Sequence, residues 1–428
     1  MAKAKGHWSA LPTLDRMIGM ESSKVFSEIE KLKTDMTKVS MELIRIPAIA
    51  PENGGEGESK RAERLIQILN DVGFDKIERH DATDERVPSK KRPNIIAYCL
   101  GEKTADKLWI VTHMDIVPPG EDSLWTVTKP FEPLIKDGKL YGRGSEDNLQ
   151  SMVASIFAVK ALKNLKMKPK RTVALCFVSD EEQGSTYGIR HLIKQRLFKT
   201  EDLVVVPDGG RGDGSFIEIA EKSILWMKIC TIGKQTHASR PELGLNASRI
   251  GMQYALALDK ILHKKYPGKD KSFVPPGSTF EPTKRDRNVD AVNIVPGEDI
   301  NYFDSRILPR YSPDEVLSTM RTVASDFEKK TGAKIEFEIL QKTIAPKPTE
   351  ASARVVVMLK NAIRMSMKVR AKVGGIGGGT CAAFFREIGI PAVVWSTVDE
   401  VAHQPDEYSK IQNLVSDAKV FAHMALQM

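Results

Sequence analysis

The sequence predicts an α/β fold: a central, mostly parallel sheet flanked by helices, with a smaller α+β domain inserted into it. Three observations predict it. The 428 residues exceed what one hydrophobic core usually supports, so two domains are expected. Between about residues 94 and 206, short apolar runs alternate with helical patterns, the mark of parallel strands joined by crossover helices. Near Ser223 the texture shifts to longer alternating strands and amphipathic helices, and the first texture returns after Pro346 and Pro348. The expected bounds are 1–222, 223–341 and 342–428, the first and last being two pieces of one domain.

Residues 1 to about 20 lack periodicity and read as a surface extension. A helix is expected to open at Ser22 or Ser23, either of which suits an N-cap. It runs through Phe26, Ile29, Leu32, Met36, Val39 and Leu43 until Pro47 stops it. A polar, glycine-rich loop, 51–58, leads to a second helix carrying Ala62, Leu65, Ile66 and Leu69, closed by Gly73. Strands follow at 94–100 and 108–112, then a helix over 149–165, a strand at 172–178, a helix over 188–196 and a strand at 202–206. Within the insertion, Ser223–Ile232 alternates apolar and polar side chains, as a strand with one covered face does. A helix over 246–263 bears Ile250, Tyr254, Ala255 and Leu258, and a loop rich in Pro, Gly and charge spans 266–290. A strand at 299–307, a helix over 313–330 and a strand at 334–340 complete the insertion. The last piece holds a helix over 355–365, the glycine-rich run Gly374–Gly379, a short helix and a strand at 391–396.

Composition narrows the function classes. Hydrophobic residues at 41% and charged ones at 28% describe an ordinary soluble globular protein. No run of 18 apolar residues and no signal-peptide pattern occurs, so no membrane partner is expected. The net charge of +8 invites a nucleic-acid reading, but Lys and Arg are dispersed and no nucleic-acid motif accompanies them. A basic, solvated surface that attracts small anionic substrates is expected instead. Cys99, Cys176, Cys230 and Cys381 are scattered without CxxC spacing, which suggests buried thiols and a cytoplasmic setting.

Several strand ends carry metal-ligand side chains. His113 and Asp115 follow the run 108–112, and Glu181 and Glu182 follow 172–178. Strands that stop this way deliver such residues to the edge where α/β sheets bind ligands. Imidazole with carboxylates is a set that zinc accepts, and a carboxylate beside a ligand suits a general base. Adjacent side chains in an extended 181–182 segment would point to different sides, dividing those two tasks. Asp115 suits the task of holding the second ring nitrogen of His113. Asp147 follows Gly142-Arg143-Gly144 and fits either a helix N-cap or a carboxylate bridging two metals. Asp208 follows the strand 202–206 and is preferred to Asp213, which lies further out in a turn. His403, beyond the strand 391–396, is the best-placed donor from the last piece. His7, His80, His191, His263 and His423 receive no role.

These blocks resemble the co-catalytic zinc peptidase family that contains glutamate carboxypeptidase, aminoacylase, acetylornithine deacetylase and succinyl-diaminopimelate desuccinylase. The resemblance runs in order from about residue 25 to the end. It rests on His113-Met114-Asp115, Tyr141 to Asp147, Asp180-Glu181-Glu182, Gly233 to Asn246 around His237, Gly377 to Thr380, and Ala402 to Glu407. It implies that Asp147 bridges two Zn2+ ions, for which Co2+ substitutes. His113 and Asp208 would complete one ion, Glu182 and His403 the other. Glu181 would be the general base and Asp115 would orient His113. His237, on an inserted lid and dimerisation domain, would stabilise the oxyanion, in dimeric relatives that of the partner subunit. Arg306 would hold a substrate carboxylate, assisted by Asn246 and Thr380. Where many relatives continue the Asp147 block with Lys-Gly, this chain has Asn148-Leu149-Gln150.

The resemblance implies amide hydrolysis of an N-acyl amino acid, of the deacetylase or desuccinylase type. A dipeptidase or carboxypeptidase is the alternative within the family, and a catalytically silent acyl-amino-acid binder the alternative outside it. No implied ligand or base is missing, which argues against the silent binder. The run 374–379 lacks the Gly-Lys-Ser/Thr ending of a phosphate-binding loop. A homodimer through the insertion is expected, with Ser223–Ile232 as an edge strand open to a second copy.

Overall fold

A computed structural model describes residues 14–428 of the chain. Most of the expected N-terminal extension, and His7, therefore lie outside the described residues. In chain order the main elements begin with α1 (Leu14–Lys31), α2 (Lys33–Ile44), α3 (Ser59–Val72), β1 (Lys76–Arg79), β2 (Ile95–Cys99) and β3 (Lys103–His113). Then come α4 (Ser151–Asn164), β4 (Arg171–Val178), α5 (Ile189–Lys194), β5 (Leu203–Gly210) and β6 (Phe216–Glu221). Next are β7 (Ser223–Ile232), α6 (Ala247–Lys265), β8 (Thr279–Arg285), β9 (Glu298–Ile307), α7 (Pro313–Thr331) and β10 (Lys334–Thr343). The chain closes with α8 (Arg354–Met367), α9 (Ala382–Glu387), β11 (Ala392–Ser396) and α10 (Ile411–Leu426). No described helix is long and apolar enough to cross a membrane.

Two compact units divide these elements. The first comprises Met1–Glu218, Thr349–Val373 and Thr380–Met428; the second comprises Ile219–Pro348 and Gly374–Gly379.

Seven neighbouring strands of the first unit's sheet run in the order β1-β2-β4-β3-β5-β11-β6. Among them β4 with β3, β3 with β5 and β5 with β11 pair parallel, while β1 with β2, β2 with β4 and β6 with β11 pair antiparallel. All eight residues of β4 are buried, as expected of a strand covered on both faces. Trp109, Val111, Cys176, Val204 and Val394 turn toward Ile189 and Leu192 of α5 and Phe385 of α9. Helices α4, α8 and α10 pack on neighbouring strands and on one another. The mixed α/β sheet flanked by helices is the fold class that the alternation predicted.

The second unit's sheet runs β8-β9-β7-β10, antiparallel throughout. Leu225, Met227 and Ile229 of β7 alternate inward against Tyr254, Leu258 and Leu262 of α6 and Val316, Met320 and Val323 of α7. Helix α7 is closed by a capping box from Ser312 and Glu315, with Pro313 at its first turn.

Three expectations are corrected. Residues 14–20 are already helical, so Ser22 and Ser23 lie inside α1 and cap nothing; the Ser22 hydroxyl bonds His423 Nδ1 at 2.7 Å. Strand β7 sits between β9 and β10 and is no edge; the edges are β8 and β10. The loop expected over 266–290 contains β8, which was masked by Pro282 and a polar sequence in which only Phe280 is buried. Proline is tolerated there because β8 is an edge strand that needs no ladder donor on its open side.

Candidate metal centre

Strands β3, β4 and β5 run parallel, so their carboxyl ends open on one edge of the sheet. His113 is the last residue of β3. Its Nδ1–H donates to the main-chain carbonyl of Asp115 at 3.0 Å, leaving Nε2 directed at Asp147 Oδ1, 2.7 Å away, and Asp208 Oδ1, 3.5 Å away. The ring proton thus goes to a carbonyl; the Asp115 carboxylate lies 3.5 Å from Nδ1 and is used elsewhere. Its two oxygens accept the N–H groups of Glu181 at 3.1 Å and Glu182 at 3.0 Å. Those two glutamates sit in a turn entered through Asp180 at φ +64°, not in the extended segment expected.

Asp147 turns one carboxylate oxygen to each of two histidines: Oδ1 to His113 and Oδ2 to His403 Nε2 at 3.0 Å. His403 Nε2 also lies 3.2 Å from Glu182 Oε2. Two donor groups result, His113 with Asp147 and Asp208, and Asp147 with Glu182 and His403; within each, every donor atom lies within 4.8 Å of the others. Asp147 shows no capping geometry, since α4 begins only at Ser151. The turn before it requires glycine: Gly144 adopts φ +80°, and a Cβ there would stand 2.6 Å from Ile116 Cγ2. Asn148 Nδ2 donates to Asp208 Oδ1 at 3.0 Å and to the carbonyl of Pro207 at 2.8 Å, steadying that carboxylate. Asp213 stays in an exposed turn, bonded to Ser215 N.

Electrostatics favours a cation here. Burial, with the Asp208 carboxylate beside it, pushes Glu181 well above the usual carboxyl range. Burial and the Asp147 carboxylate likewise raise Glu182 to about 7. His113 is held well above the usual imidazole value by Asp147 and Asp208, which outweigh its burial. Four acidic side chains converge on two imidazoles, an excess of negative charge that a divalent ion relieves. The donor set of imidazole and carboxylate suits Zn2+ and its first-row neighbours.

The remaining expected site residues fall in both units. Thr380 is in the first, where its hydroxyl accepts from Ala382 N at 3.2 Å at the start of α9. His237, Asn246 and Arg306 are in the second. His237 is exposed, and its Nδ1 accepts from Ser239 N and faces Ser239 Oγ at 2.8 Å. Asn246 caps α6 by accepting from Arg249 N. Arg306 forks onto Asp304 through Nε and Nη2, at 2.7 and 3.0 Å, and gives Nη1 to the carbonyl of Gly377. Sequence reasoning missed Glu146, Asn148 and Glu407. Carboxylates and amides that bind turn amides or neighbouring side chains carry no periodicity or spacing, and only their adjacency to Asp147 and His403 hinted at them.

The profile of Peptidase family M20/M25/M40 matches residues 109–427. An uncharacterized metallohydrolase of Methanocaldococcus jannaschii is 41% identical over 400 residues, covering 90% of this chain and 97% of that one. A succinyl-diaminopimelate desuccinylase of Pelagibacter ubique is 26% identical over 392 residues, covering 90% and 97%. Human carnosine dipeptidase 1 shares the fold, with a TM-score of 0.75 at 17% identity over 95% of this chain and 98% of that one.

Proposed function

This chain belongs to peptidase family M20/M25/M40 and is a metallohydrolase, and we propose that it cleaves the amide bond of an N-acyl amino acid, as deacetylases and desuccinylases do. One observation carries the two-metal form of this reading: the two oxygens of Asp147 face different histidines, so one carboxylate serves both donor groups. His113 and Asp208 then complete the site of one Zn2+ ion, Glu182 and His403 that of the other. When bound, such ions polarise the scissile carbonyl and acidify the attacking water. Glu181 takes the water's proton and passes it to the leaving nitrogen. Asp115 fixes Glu181 by accepting its backbone N–H. Arg306 binds the substrate carboxylate, exchanging the fork it makes with Asp304, with Asn246 and Thr380 in support, and His237 donates to the developing oxyanion. The likeness to desuccinylases along 90% of the chain supports the acyl amino acid over a peptide.

We extend the reading to a cytoplasmic homodimer formed through the second unit, whose edge strand β10 exposes Ile339 and Leu340. Light scattering that finds only monomer at micromolar concentration would remove this extension.

The test of the reaction is hydrolysis of a panel by zinc- or cobalt-loaded protein: N-succinyl-diaminopimelate, N-acetylornithine, other N-acyl amino acids and several dipeptides. Turnover of an acyl amino acid, reduced roughly 10²–10⁴-fold by Glu181→Gln, is expected. Preference for dipeptides would replace the deacylase with the peptidase reading. Two bound metals with no turnover of any member would count against both.

A further inference from the structure

Two buried carboxylates adjacent to the donors hold the donor turns from opposite directions. Glu146, one residue before Asp147, accepts the backbone N–H groups of Asp399 at 2.6 Å, Val401 at 2.7 Å and Ala402 at 3.1 Å. It thereby grips the turn that leads into His403. Glu407, four residues after His403, accepts from Gly144 N at 2.9 Å, Glu146 N at 3.0 Å, Asp147 N at 3.2 Å and Arg143 Nη1 at 2.7 Å. It grips the turn that carries Asp147. Each turn therefore supplies the acceptor that orders the other.

The chemistry suits the task. Amides in a tight turn have no helix or strand partner, and a carboxyl group offers two oxygens with several acceptor sites between them. The need is local as well. His403 stands at φ +65° on a turn outside any strand, its side chain is 53% exposed, and it meets Asp147 across 256 residues of sequence. The nearest ladder, residues 408–410 antiparallel to 139–141 with Gly142 N donating to the Glu407 carbonyl at 2.9 Å, stops short of both turns and leaves their side-chain spacing to local bonds. We propose that Glu146 and Glu407 are positioning residues of the metal centre, a reciprocal clasp that sets the spacing between Asp147 and His403. The inference rests on the two-metal reading above.

The clasp predicts an asymmetry. Glu146 holds only the His403 turn, so its loss weakens the ion held by Glu182 and His403 and spares the other. Glu407 holds the turn of Asp147, which both donor groups share, so its loss weakens both. The experiment titrates metal-free wild type, Glu146→Gln and Glu407→Gln with Co2+, following visible absorption and heat. One binding step weakened about 10- to 100-fold in Glu146→Gln, and both in Glu407→Gln, is expected.

Asp106→Asn is the control for general destabilisation. Asp106 is a buried partner of Arg171 and Arg354 on β3, about 20 Å from His113 at a strand's rise of about 3.3 Å per residue. It should lower the thermal midpoint and leave both Co2+ steps unchanged. Should Glu146→Gln fail to fold, Glu146→Asp keeps the charge, shortens the reach and carries the same one-step loss at smaller size. Equal weakening of both steps in the Glu146 variant, or of neither, overturns the clasp. Wild type that takes up fewer than two ions overturns the two-metal reading instead.

Discussion

Asp115 spends both carboxylate oxygens on successive amides, those of Glu181 and Glu182, while its carbonyl takes the proton of His113. Its side chain therefore acts on the base more directly than on the histidine. An Asn at this position keeps one acceptor and turns an NH2 group toward the other amide, so one N–H loses its partner. Asp115→Asn should lower kcat about 10- to 100-fold with little change in KM, and should leave two metals bound. Elemental analysis beside steady-state kinetics checks this; loss of a metal would return the role of Asp115 to the histidine. His113, Glu182 and Asp208 were legible because a His or acid close after an apolar run is unusual chemistry in a recognisable place, whereas Asp147 and His403 stood out by a glycine turn and by position in the last piece of the chain. What Asp115 does with its oxygens was not legible. It depends on the turn at Asp180, which brings two amides of a distant segment within 3.1 Å.

At the scale of elements, α10 shows what periodicity hides. Nearly every residue from Asn413 to Leu426 is buried, so the helix has no polar face to mark its period. One consequence is a buried histidine. His423 donates to or accepts from the Ser22 hydroxyl of α1 through Nδ1, and its Nε2 has no partner. Burial, with Lys368 nearby, lowers its pKa to about 4. The unfolded chain, with an ordinary imidazole near 6.5, binds a proton that the folded chain refuses. The depressed value means stability is held above about pH 6.5 and lost as the pH falls toward 4, by at most about 1.4 kcal/mol per pH unit. His423→Gln keeps a hydrogen-bonding side chain and removes the titration. In chelator, its urea midpoint should change less than that of wild type between pH 7 and 5; parallel slopes would mean that other groups carry the acid sensitivity. Strand β7, by contrast, was read to the residue from its alternation, yet its place in the sheet was not. Its neighbours β9 and β10 pair with it from 66 and more residues along the chain, and the alternation of one strand does not say which others flank it.

For the whole molecule, the donors' origin matters more than their identity. His113, Asp147, Glu182, Asp208 and His403 all belong to the first unit but come from five separate segments, and the last follows the entire second unit in sequence. The unfolded chain cannot hold these groups together, so an ion that binds them binds the folded first unit alone. Such linkage stabilises by about 2.7 kcal/mol for each site when free metal exceeds its dissociation constant a hundredfold. The second unit has its own core around Leu225, Tyr254, Phe303 and Met320 and contributes none of the five donors. Chelation should therefore lower the thermal transition of the first unit by several degrees. If the second unit melts separately, its transition stays in place. Replacing the shared carboxylate, as in Asp147→Asn, should lower the starting midpoint and abolish the response to chelator. Differential scanning calorimetry with and without chelator measures both. A wild-type transition indifferent to chelation would mean that the converged carboxylates hold no ion of consequence, and the charge they concentrate would need another explanation.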